Sequence, residues 1–157
     1  MRYEFRVDGI LSDEARAAFD PIPEHGLGFG ASYALPIFLA AIEGDVAEAR
    51  RLHDANDIGK GEDADEQDRI GYLTLEAMVL NAEGEHERAL EVAMPTVEAR
   101  LTSTSKLGWE EALVAAHALG RDEVVRDLVS RIESMAPGHL PPTLRAHAIR
   151  FAGTDRY

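Results

Sequence analysis

Residues 81–92 read NAEGEHERALEV, and the fold turns on the glycine at 84. Before it, Ile70, Leu73, Ala77 and Leu80 recur at the spacing of one helix face. After it, Leu90, Ala93 or Met94, Val97 and Leu101 do the same. Two such stripes with so little between them leave no room for a loop. The glycine therefore ends one helix in the left-handed conformation and the next helix opens at once. Related stretches occur at 41–52, AIEGDVAEARRL, and at 117–128, HALGRDEVVRDL. Each carries a small or β-branched residue five positions after its glycine: Ala49, Ala89 and Val125. The glycines at 44, 84 and 120 lie 40 and 36 residues apart, an interval that marks stacked helical hairpins.

Working outward, Trp109, Leu113 and Ala116 form one further stripe, and Val125, Leu128, Val129 and Ile132 another. The helix around Ile37–Ile42 is apolar nearly all round, so it should be buried. Pro95 falls inside a helical pattern and should kink or shorten that helix. A last helix follows GHLPPT, with Leu144, Ala148 and Phe151 on one face and Arg145, His147 and Arg150 opposite.

The first thirty-one residues differ in pattern. Tyr3, Phe5 and Val7 alternate with Arg2, Glu4, Arg6 and Asp8, as in a half-buried strand. Ser12 can cap a short helix through Phe19, and Pro21 and Pro23 end it. The expected division is therefore a strand–helix appendage with a glycine-rich join at 1–31 and a helical repeat domain at 32–157. A single strand leaves its hydrogen bonds open. Either Leu27–Phe29 pairs with it inside the chain, or a second chain does, giving a homodimer through the N-terminal strand.

The glycine-rich HGLGFGAS (25–32) comes nearest to a phosphate loop. A dinucleotide fingerprint needs a third glycine where Ala31 stands, and a P-loop needs a lysine that is missing. It reads as a join. The acidic run GKGEDADEQD (59–68) lacks the glycine and glutamate of a calcium loop and reads as a solvated connection leading into an acidic helix start. The six histidines show no metal-binding spacing, and no serine has a histidine and an acid at motif spacing. No cofactor, metal or catalytic residue is expected, and the chain reads as a non-enzyme.

Composition narrows the partners. There is no cysteine, which removes thiolate chemistry and disulfides. A net charge of −13 repels phosphate backbones, so nucleic acid is not an expected partner, whereas a basic or apolar one is. The longest apolar run, YALPIFLAAI, is ten residues, too short to cross a bilayer. With no signal-like stretch at the start, the default expectation is a cytoplasmic protein.

On Trp109, Gly120 and Pro137, with Ala77 and Ala89 in the second unit and Tyr33 and Ala49 in the first, residues 32–138 resemble the tetratricopeptide repeat family. The last unit is also similar to helical-repeat regions of actinobacterial regulatory proteins. The resemblance implies a mainly α fold, a short tetratricopeptide-like solenoid of antiparallel helix pairs. It also implies a peptide groove lined by the first helix of each pair: Phe38, Thr74, Met78, Asn81, Glu110, Val114 and His117. The basic clamp some members use for acidic tails is absent, since Ala34, Phe38, Leu75, Leu107 and Glu111 occupy its places. The expected function is an adaptor or scaffold that binds a protein or peptide. The alternative is a small-molecule-sensing domain with a pocket between the N-terminal segment and the repeats.

Overall fold

The computed structural model describes residues 31–61, 64–99 and 105–153. Among them are seven α-helices: α1 (Ala31–Glu43), α2 (Val46–Asp54), α3 (Glu66–Glu83), α4 (His86–Glu98), α5 (Ser105–Ala118), α6 (Asp122–Glu133) and α7 (Pro142–Ala152). A 3₁₀ turn, Pro137–His139, precedes α7. The described residues are thus mainly α. The expected strand at 2–7, the helix after Ser12, the glycine-rich join up to Gly30 and any strand-mediated dimer lie outside them.

Three helix pairs close on the same device. Gly44, Gly84 and Gly120 have φ of 80°, 79° and 65°, the left-handed region. At each, the glycine N–H and the next N–H bond carbonyls of the last helical turn. Asp45 donates to Ala40 at 2.9 Å, Glu85 to Leu80 at 2.9 Å and Arg121 to Ala116 at 2.9 Å. This double closure satisfies carbonyls that the helix end leaves open, and it reverses the chain within two or three residues. Helices joined so tightly run antiparallel. Ala49, Ala89 and Val125, five residues beyond each glycine, are all buried.

Packing along the chain is regular. Each helix packs on the next, and α1 on α3, α3 on α5 and α5 on α7 as well. The second helices of the pairs, α2, α4 and α6, make no such backbone approach to one another. Where α4 and α6 do meet, they do so through long side chains: Arg131 reaches Glu98 at 3.1 Å, and Arg121, at the head of α6, reaches Glu87. On the α2–α3 boundary Arg50 binds Glu83 at 2.7 Å and Glu76 at 2.8 Å.

The core falls into two clusters. One gathers Ile37, Ala40, Ala49, Leu75 and Val79 from α1, α2 and α3. The larger runs from Ala77 to Phe151 and includes Trp109, Leu113, Leu128 and Leu144. Trp109 is buried as expected, with the Arg131 guanidinium 5.1 Å above its ring. Gly108 sets the closeness of three helices. A Cβ there would stand 1.8 Å from Thr96 Oγ1 and 3.3 Å from Thr74 Oγ1, so α5 lies against α4 and α3 with no side chain between.

Two expectations need correction or refinement. α1 is not buried all round: Ile37 and Ala40 are, but Leu35, Phe38, Leu39 and Ile42 are exposed. Periodicity reports how apolar a helix is, and here no described element lies across its other side. α4 runs through Pro95 and stops at Glu98, where the Ala99 N–H donates to the Pro95 carbonyl at 3.1 Å. α3 opens on Asp65, whose side chain accepts from the Asp68 N–H at 2.8 Å, the acidic start read from the sequence. No helix among the described residues is long and apolar enough to cross a membrane.

Candidate peptide face

The first helices of the pairs, together with α7, form one continuous row, and most of the expected groove residues lie along it. Phe38 is exposed on α1, and His117 on α5. Met78, Asn81, Glu110 and Val114 are partly buried between neighbouring helices. Thr74 does not join them. It is buried, and its hydroxyl donates to the Ile70 carbonyl at 2.8 Å, the backbone partner one turn back. Because Gly108 lets α5 press against it, Thr74 is a packing residue with no surface to offer a partner.

Asn81 and Glu110 anchor two polar clusters. From α3, Asn81 Nδ2 donates both to the Glu111 carboxylate at 2.8 Å and to the Glu111 backbone carbonyl at 3.0 Å. Asn81 Oδ1 lies 3.1 Å from Nδ1 of His86, which opens α4. The amide is therefore held from both sides, and it ties one helix pair to the next. The second cluster joins α5 to α7: His147 Nε2 lies 3.7 Å from the Glu110 carboxylate, and the His117 ring stands 5.1 Å from that of Phe151.

Glu111 is the electrostatic centre of the face. Burial pushes its carboxyl up to about 7; the Asn81 hydrogen bond opposes the rise and the Glu110 charge adds to it. Its charge thus changes close to neutrality. Among the described residues no arginine or lysine pairs with Glu110 or Glu111, unlike Glu76, Glu83, Glu87 and Glu98. The row accordingly presents carboxylates beside the apolar Phe38, Met78 and Val114.

Three residues of this face stand outside the expected groove set: Glu111, named only as filling a clamp position, His86 and His147. Glu111 carried a readable signal. It stands nine residues before Gly120, as Leu75 stands nine before Gly84, so an apolar position in one pair holds a carboxylate in the next. His147 was assigned to the solvent side of α7, yet it stacks on Phe151 one turn further along at 6.2 Å and faces Glu110 of α5 at 3.7 Å.

A separate cluster lies on the α2–α3 boundary. His53 is fully buried, with Nδ1 3.1 Å from Glu76 Oε2 and its ring 4.6 Å from that of Tyr72. Burial holds this imidazole below its ordinary value, with the Glu76 charge partly opposing. Among the described residues no group of three or more histidines and carboxylates is placed to hold a metal ion.

An open cavity of about 490 Å³ lies between α6 and α7, bordered by Ile132, Met135, Leu140 and Ile149 with Glu133 and Arg145 at its edge. No residue of α1 lines it. The site considered for a small-molecule sensor, beside the N-terminal segment, lies outside the described residues.

The chain matches no protein-family model, no curated protein and no solved structure.

Proposed function

We propose that this chain is a non-enzymatic interaction module, a short tetratricopeptide-like solenoid that binds a peptide or protein segment along its row of first helices. The observation that carries the reading is the packing order. First helices touch one another in succession, while the second helices make no comparable backbone approach and α4 and α6 are linked by long ion-paired side chains. A layer contracted on one side and spread on the other bends toward the contracted side, and such curved layers offer extended concave surfaces. The residues on that side fit a segment that is both basic and apolar: Glu110 provides an acceptor, and Phe38, Met78 and Val114 provide apolar contact. A protein of net charge −13 favours encounter with a basic segment.

The test is a peptide array of graded charge and hydropathy, followed by fluorescence anisotropy on the best binders. Basic, apolar peptides should bind, weaken as salt rises, and lose affinity to a Phe38→Ser/His117→Ala variant. Both of those residues are exposed, so the variant should fold. Undiminished binding by it would remove the face from consideration.

A further inference from the structure

The repeat supplies an internal standard for the exposed side of α1. Nine and five residues before each turn glycine stand Leu35 and Leu39 in α1, Leu75 and Val79 in α3, and Glu111 and Ala115 in α5. Leu75 and Val79 are 7% and 0% exposed, packed in the cluster they share with Ile37, Ala40 and Ala49 of the preceding pair. Ala115 is 0% exposed, and Glu111 is bound by Asn81 of the pair before it. These two positions are therefore where each first helix meets the preceding helical unit. On α1 the same positions are 48% and 47% exposed, and both hold leucine.

We propose that this face of α1 is a docking seat for residues 11–22 of the same chain. That stretch carries Leu11, Ala15, Ala18 and Phe19 at the i, i+4, i+7 and i+8 spacing of one apolar helix face, with Ile22 following between the two prolines that end the helix. Its charged residues, Asp13, Glu14, Arg16 and Asp20, fall between them. Connection is direct. Residues 23–30 lead from it into Ala31, the first residue of α1, and eight extended residues reach at most about 28 Å. α1 is about 20 Å long at 1.5 Å per residue, so the stretch can lie along it from either end. A tether of this length holds the stretch near the seat at roughly millimolar effective concentration, which favours it over a separate molecule. The occupant takes the place of a preceding repeat and covers the solenoid's open end. This inference concerns the end of the stack and does not depend on the peptide-binding reading.

The full chain contains no cysteine, so a single introduced thiol reports on the seat without background. Leu39→Cys should react with a maleimide about tenfold more slowly than Ile149→Cys, as for a seat filled about nine-tenths of the time; Ile149 is 66% exposed. The protection should not change on dilution. Adding Leu11→Asp/Phe19→Asp to Leu39→Cys should restore fast labelling, with helical circular dichroism unchanged. Labelling of Leu39→Cys as fast as that of Ile149→Cys overturns the proposal. So does protection that survives Leu11→Asp/Phe19→Asp, and so does protection that vanishes on dilution, which would assign the seat to a second copy.

Discussion

Asn81 on α3 donates to the Glu111 carboxylate on α5 at 2.8 Å and, with the same nitrogen, to the Glu111 carbonyl at 3.0 Å. One amide thus joins two helix pairs at a carboxyl group that burial raises to about 7. Below its ordinary value of 4.5, Glu111 is protonated whether the chain is folded or not. Its raised folded value contributes stability that is fully present there and is lost as the pH rises through about 7.

Glu111→Gln keeps an acceptor for Asn81 and removes the titration. Relative to the parent, the variant should gain stability between pH 4.5 and pH 8, by up to about 3 kcal/mol. Urea unfolding at a series of pH values measures this. Parallel curves for the two proteins would show that Glu111 titrates normally.

His53 has the opposite sign. Its value is lowered by burial, so the folded chain is favoured above the ordinary 6.5 and loses that advantage as the pH falls through the folded value. Proton NMR of the imidazole should place the His53 midpoint below 6.5. A His53→Leu variant should tolerate acid better than the parent relative to their difference at pH 8. A midpoint above 6.5 would mean that Glu76 outweighs burial.

Gly108→Ala tests the three-helix contact. The added carbon would fall 2.7 Å from Thr96 Cβ as well as 1.8 Å from its hydroxyl, so helices must shift. The expected loss is about 1–3 kcal/mol, the usual cost of overpacking a core. Thr96→Ala on that background should recover part of the loss, since it removes the closer clash and leaves the other. Full stability in Gly108→Ala alone would contradict the packing.

The turn glycines separate backbone strain from crowding. At Gly84 a Cβ meets nothing within 4 Å, so Gly84→Ala should cost only the left-handed penalty of about 1–2 kcal/mol. Gly59 has a similar φ of 84°, but there the carbon would stand 2.4 Å from the Asp68 carbonyl oxygen. Gly59→Ala should therefore be the more damaging of the two in thermal unfolding. Equal shifts would place the whole cost in the backbone.

Local features were the legible ones. A glycine forced to positive φ, followed by charged residues and a small buried one, is written within about a dozen positions, so Gly44, Gly84 and Gly120 read correctly. The buried stripes through Leu80, Leu113 and Leu128 read from spacing for the same reason. What depends on a neighbouring helix did not read. Thr74 looked available because its burial comes from Gly108, more than thirty positions away. Glu111 read only as a filled clamp position, because its bond to Asn81 comes from a helix 30 positions away. α1 looked buried because composition cannot say which of two faces has something to lie against.

The ion pairs that link α4 to α6 give the stack an asymmetry of stiffness. Contacts along the first-helix row combine buried apolar packing with the Asn81–Glu111 hydrogen bonds, and salt screens such buried contacts less. The outer bridges, Arg131–Glu98 and Arg121–Glu87, join half-exposed groups whose attraction salt screens. Rising ionic strength should therefore weaken the outer edge of the α4–α6 contact before it reaches the buried contacts between first helices.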